Sequence, residues 1–122
     1  RTPTMKVFPS IPRAHYAGLM AAADVLVGNS SSGILEAPSF KLPAVNIGSR
    51  QRGRLQGKNV INTPYRISEI KKAITKALSK PFVRSMRTCV NPYGNGKSAR
   101  RIVDTIAMVE HNEELLVKQM TY

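Results

Sequence analysis

An apolar strand that runs straight into a Gly/Asn/Ser turn and then a helix is the strongest constraint in this sequence. Val25-Leu26-Val27 leads at once into Gly28-Asn29-Ser30-Ser31-Ser32-Gly33, and Ile34-Leu35-Glu36 continues as helix. Short apolar runs and helical stretches alternate along the rest of the chain. Candidate strands are 5–8, 25–28, 44–47 and 59–62. Pro12 opens an Ala-, Leu- and Met-rich helical stretch at 13–23. A second helix at 31–40 opens on serines, and Pro38 inside it makes it short or distorted. Ser68 is expected to cap a third helix that runs to Ser79. Its Ile70, Ile74 and Leu78 recur every four residues, Lys71, Lys72 and Lys76 lie off that stripe, and Pro81 ends it. A turn-rich stretch, Asn91-Pro92-Tyr93-Gly94-Asn95-Gly96, precedes a long helix at 98–118 with Ile102, Ile106, Val109 and Leu116 on one face. Strands alternating with helices predict an α/β fold, a Rossmann-like, doubly wound parallel sheet. The whole of 1–122 reads as a single domain. Four strands make a thin sheet, and Arg1 is not an initiator, so the expectation is a processed chain or a piece of a longer protein that lacks its first strands.

Composition narrows the function classes. The chain is 122 residues long and 42% hydrophobic, which suits a packed domain rather than a disordered segment. Its longest apolar run, 17–23, is too short to span a bilayer, and no secretory leader pattern is visible. Cys89 is the only cysteine, so neither an internal disulfide nor a cysteine zinc site is available, and a reducing, cytoplasmic setting is the default. His15 and His111 have no second ligand at metal spacing. No metal or cofactor is therefore expected. The formal charge is +12, and residues 66–101 hold ten basic side chains against one acid, Glu69. This suits a polyanionic partner or simply a solvated basic helical face.

Ligands of open α/β sheets bind at the carboxyl ends of strands, where a helix start offers free N–H groups and partial positive charge. The Asn29–Gly33 turn fits this for phosphate, with donors from Ser30, Ser31 and Ser32. The bland alternative is helix capping, although one cap explains only one serine. Glu36, one turn further, either complements the helix dipole or accepts the hydroxyls of a ribose. Gly48-Ser49-Arg50-Gln51-Arg52-Gly53-Arg54 follows the third apolar run and carries guanidiniums suited to phosphate, or is an exposed basic loop. Gly94-Asn95-Gly96-Lys97-Ser98 imitates the tail of a P-loop, but Asn91 stands where that pattern needs glycine and no strand leads into it. No nucleophile–base pair or paired carboxylate stands out.

Taken in order, these segments resemble a known family. Gly28-Asn29-Ser30-Ser31-Ser32-Gly33, Glu36-Ala37-Pro38, Pro43-Ala44-Val45-Asn46-Ile47-Gly48, Arg50-Gln51-x-Gly53-Arg54 and Asn91-Pro92-Tyr93-Gly94-x-Gly96, with Ser98 and Arg101-Ile102-Val103 after them, are similar to the hydrolysing UDP-N-acetylglucosamine 2-epimerases. The resemblance covers about 5–107. It implies two Rossmann-like domains in the glycosyltransferase-B arrangement, of which this chain is the C-terminal, UDP-binding one. It further implies that Ser30 and Ser31 hold the UDP diphosphate, Glu36 the uridine ribose and Arg50 the nucleotide, with the backbone near Ser10 and Ile11 facing the uracil. The implied reaction is elimination of UDP from UDP-N-acetylglucosamine and addition of water, giving N-acetylmannosamine for sialic-acid-type sugars. The family's catalytic residues have no match here, so no catalytic residue is assigned and the chain alone is expected to be inactive. A UDP-sugar substrate, an N-terminal domain and, for the whole enzyme, a homo-oligomer are the implied partners, with no membrane. A sister branch epimerises reversibly. The rivals are a nucleic-acid-binding module, disfavoured because aromatics do not interleave with the basic stretch, a catalytically inactive nucleotide-binding unit, and a true glycosyltransferase.

Overall fold

The computed structural model describes residues 4–109. In chain order it contains α1 (Arg13–Ala22), β1 (Leu26–Gly28), the single-turn α2 (Ser32–Leu35), a 3-10 turn (Ala37–Phe40), β2 (Ala44–Ile47) and β3 (Val60–Thr63). Then follow α3 (Ile67–Ala77), α4 (Lys80–Ser85), a second 3-10 turn (Met86–Thr88) and α5 (Ser98–Met108). The strands form one parallel sheet in the order β1-β2-β3. Gly28 pairs with Asn46, and Asn46 with Asn62.

Helices cover both faces of β2. Neighbouring residues of a strand point to opposite faces. A Cβ on Gly33 of α2 would meet the Ala44 side chain at 3.3 Å, whereas Val45 packs with Ala73 and Ala77 of α3. Gly33 thus lets α2 lie close on the sheet. On the other face the small Ala73 and Ala77 do the same for α3, flanked by Ile47, Ile61 and Ile74. A second cluster, Met20, Ala37 and Leu42, joins α1 to the first 3-10 turn, with Tyr16 and Leu26 against it. The parallel α/β architecture is therefore the one read from the sequence.

Several elements differ from expectation. The candidate strand at 5–8 is not in the sheet, and Met5, Val7 and Phe8 are exposed. A strand is stable only when a neighbour takes up its ladder hydrogen bonds, and neither β1 nor β3 pairs with this segment. The last strand starts one residue later than expected, which turns Asn59 into the core. Arg66, not Ser68, occupies the N-cap position of α3, with no side-chain cap. The stripe Ile70–Ile74–Leu78 is also only partly buried. The deepest contacts are made by the alanines one turn apart, because a small side chain allows the closest approach to β2. Pro81 does not end α3 but lies in the first turn of α4, where its missing N–H costs nothing. Ser79 caps α4 by accepting from Phe82 N at 3.4 Å. Pro38 does break the second helical stretch, as expected, into α2 and a 3-10 turn. Helix α5 runs to Met108, with Val109 extended; the expected continuation to 118 lies outside the described residues. Its Ile102, Val103, Ile106 and Met108 are exposed. Among the described residues no helix is long and apolar enough to cross a membrane.

Candidate functional site

Because the sheet is parallel, its carboxyl strand ends line one edge. β1 ends on Gly28 at a φ of 152°, a backbone region that side chains rarely adopt. The Asn29–Gly33 turn follows, and α2 begins within it. Ser30 Oγ accepts from Ser32 N and donates to Ser32 Oγ, each at 3.3 Å. Ser31 holds the N-cap position but makes no capping bond. Ser30 is exposed and Ser31 half-buried. A local turn therefore engages the hydroxyls of Ser30 and Ser32, while no capping bond engages that of Ser31.

Amides from distant parts of the chain hold this turn. Gln51, 3% exposed, donates from Nε2 to Asn29 O at 2.8 Å. Asn59, fully buried, donates to Gly33 O at 3.0 Å and Leu42 O at 3.1 Å. Asn91 donates to Leu35 O and to Ser39 Oγ, both at 2.8 Å. Each pulls on a carbonyl of the turn or of α2, so the carbonyls are engaged inward while the start of the helix stays at the strand-end edge. A one-turn helix has little stability of its own; these bonds supply what its length does not. Sequence reasoning missed all three roles. Their only sequence signal is a lone Gln or Asn inside a motif, and an amide does not announce which distant carbonyl it will meet.

The loop between β2 and β3 crosses without a helix and carries the arginines. Arg50 Nη1 lies 3.4 Å from Asn29 Oδ1, which places Arg50 beside the serine turn. Tyr93 OH donates to Leu55 O at 2.9 Å and ties this loop to the Asn91–Gly96 segment. Arg52 and Arg54 line a separate cavity of about 710 Å³ at the ends of β2 and β3. They form no ion pair among the described residues.

Glu36 stands at the carboxyl end of α2, and Arg13 Nη1 lies 3.0 Å from its Oε1. The Arg13 side chain is 87% exposed, so this pair contributes little to stability. Ser10 and Ile11 sit just upstream in the extended lead into α1, Ser10 exposed and Ile11 half-buried. The fold thus brings Ser30, Ser31 and Arg50 together at one edge. Glu36 follows at the end of α2, and Ser10 and Ile11 lie in the chain just before the Arg13 that pairs with it. The segment Gly94–Ser98 is no phosphate loop: Gly94 and Gly96 have φ of 125° and 81° in a turn, and no strand precedes α5.

These features define a Rossmann-like α/β unit whose strand-end edge is furnished with serines and arginines. Comparison with known proteins gives the particular family. The family model for UDP-N-acetylglucosamine 2-epimerase matches residues 1–107. The chain is 34% identical over 120 residues to UDP-N,N'-diacetylbacillosamine 2-epimerase (hydrolyzing) of Legionella pneumophila, covering 98% of this chain and 31% of that protein. It is 36% identical over 107 residues to UDP-N-acetylglucosamine 2-epimerase of Neisseria meningitidis, covering 88% and 27%. The similarity to GDP/UDP-N,N'-diacetylbacillosamine 2-epimerase (hydrolyzing) of Campylobacter jejuni is 44% over 77 residues, covering 63% and 20%. The chain belongs to the UDP-N-acetylglucosamine 2-epimerase family, a family of enzymes, and spans less than a third of the length of these relatives.

Proposed function

We propose that this chain is the nucleotide-holding part of a hydrolysing 2-epimerase acting on a UDP-linked acetamido sugar. The observation that carries the reading is the Ser30–Ser31 turn at the carboxyl end of β1, with Arg50 fixed beside it at 3.4 Å from Asn29 and Glu36 one turn behind. Ser30, Ser31 and Arg50 hold the diphosphate, and Glu36 accepts the ribose hydroxyls once the nucleotide displaces Arg13. Ser10 and Ile11 present backbone to the uracil. In the whole enzyme, of the two-domain glycosyltransferase-B type, UDP leaves from C1 as a base removes the C2 proton, and water then adds to give the 2-epimeric free sugar. In this reading Ser30, Ser31 and Arg50 stabilise the leaving diphosphate, because fixed donors lower the cost of the negative charge that develops on it. The base comes from elsewhere in the enzyme. For UDP-N-acetylglucosamine the product is N-acetylmannosamine, the precursor of sialic-acid-type sugars. The Legionella and Campylobacter relatives are named for a diacetamido sugar, which favours a second reading in which the sugar carries two acetamido groups.

Thermal unfolding with ligands tests the nucleotide reading. UDP at a hundred times its dissociation constant should add about 2.7 kcal/mol of stability. Inorganic phosphate giving the same shift as UDP would contradict nucleotide recognition. Glu36→Gln should weaken UDP more than pyrophosphate, and equal loss for both would remove the ribose role.

A further inference from the structure

Helix α2 lasts one turn because Pro38 stops it, and the break leaves a carbonyl behind. Glu36 N still donates to Ser32 O at 3.0 Å, as in an α-helix. Ser39 N then turns back to Glu36 O at 3.0 Å and does not reach Leu35 O, four residues before it. Pro38 has no N–H to offer. Leu35 O is thus left without the donor that a continuing helix would supply. That carbonyl belongs to the peptide bond joining Leu35 to Glu36. Whatever takes it up sets the peptide plane from which the Glu36 side chain leaves.

Asn91 takes it up from 56 residues away. Its Nδ2 donates to Leu35 O and to Ser39 Oγ, both at 2.8 Å, which uses both N–H groups of the amide. Its Oδ1 accepts from Tyr93 N at 2.9 Å. Turning the amide over would lose all three bonds, so its orientation is fixed. The half-buried Asn91 side chain therefore clamps the Glu36 junction on both sides: Leu35 before it, and after it Ser39, whose N–H holds Glu36 O. The turn that carries Asn91 is closed by Gly94 N on Asn91 O at 3.2 Å and pinned by Tyr93 OH on Leu55 O at 2.9 Å. The Glu36 carboxylate, by contrast, meets only the exposed Arg13 among the described ion pairs. Its backbone, not its ion pair, fixes where the carboxylate stands. The serine turn is held separately, by Gln51 on Asn29 O and Asn59 on Gly33 O.

We propose that Asn91 is a positioning residue for the ribose contact: by holding Leu35 O it sets Glu36 where both hydroxyls reach the carboxylate, and so makes the site prefer a nucleoside diphosphate to a bare diphosphate. Asn91 itself touches no ligand. The proposal rests on the nucleotide reading above. A binding constellation tolerates only about 0.5 Å of misplacement, so releasing Leu35 O is felt at the carboxylate and not at the separately held serine turn. The test is titration calorimetry of this chain with UDP and with pyrophosphate. Asn91→Ala should weaken UDP about 5- to 10-fold, the worth of roughly one hydrogen bond, and leave pyrophosphate within about twofold. Added to Glu36→Gln, Asn91→Ala should weaken UDP no further, because the two residues act through one contact. In the unaltered chain, the Asn91 side-chain amide resonances should move with UDP and not with pyrophosphate, a readout that holds even if the variant does not fold. Equal loss for both ligands, no loss for either, full additivity with Glu36→Gln, or amide signals that answer both ligands alike would overturn the positioning role and leave the nucleotide reading standing. An unaltered chain that binds UDP no better than pyrophosphate removes the nucleotide reading and the positioning role with it.

Discussion

Replacing Asn59 with alanine tests the claim that distant amides hold the site. Asn59 has no exposed surface and donates to Gly33 O in α2 and to Leu42 O before β2. Truncation strips the side-chain partner from two buried carbonyls. A buried polar group left unpaired costs about 1–3 kcal/mol. Against this, Asn59 Oδ1 is itself buried and unpartnered, so removing it returns part of the loss. The net expectation is about 2–4 kcal/mol, a large fraction of the roughly 5–15 kcal/mol that holds a domain together. Urea denaturation followed by circular dichroism should show a midpoint lowered by about 1–2 M with the slope unchanged. Asn59→Asp separates hydrogen bonding from packing. It keeps the shape but turns a carboxylate toward two carbonyls, so it should cost at least as much as alanine. The reasoning is refuted if Asn59→Ala changes stability by less than about 0.5 kcal/mol, the range of an ordinary surface substitution, or if Asn59→Asp is milder than Asn59→Ala.

Gly48 has a φ of 80° and faces the Tyr65 ring, so Gly48→Ala should destabilise by about 1–3 kcal/mol. Tyr65→Ala in the same chain should restore the steric part but not the backbone part, which a double-mutant cycle reads directly. Lys41 takes a φ of 57° at the end of the first 3-10 turn and its ammonium donates to Cys89 O. Lys41→Val places a β-branched residue in that left-handed region and should lose about 1–2 kcal/mol in the same denaturation assay. Arg13→Ala should leave stability within about 0.5 kcal/mol, because its partner Glu36 meets it at the surface, and a larger loss would show the pair to be structural. The chain alone should release no UDP from UDP-N-acetylglucosamine in a coupled assay, since a missing general base costs about 10²–10⁴-fold; robust release would place catalytic groups within it.

The local order of apolar run, Gly/Asn/Ser turn and helix was enough to read a parallel α/β unit, because residue period and turn chemistry act over a few residues. It also put Ser30, Ser31 and Arg50 just past strand ends and Glu36 one turn further along, where the fold does place them. Pro38 was legible as a break for the same reason: its missing N–H acts within one turn. The segment at 5–8 was not legible, because whether an apolar run becomes a strand depends on a neighbour elsewhere in the chain. Pro81 likewise reads equally well as the stop of one helix or the start of the next, and packing chose the start. The amides of Gln51, Asn59 and Asn91 show the limit most clearly. Each is a polar residue with no local periodicity, and each satisfies a carbonyl between 17 and 56 residues away. The chemistry at the strand ends belongs to short stretches of sequence. The partners that hold it in place are chosen only when β1, β2 and the Asn91 loop come together and buried carbonyls must each find a donor.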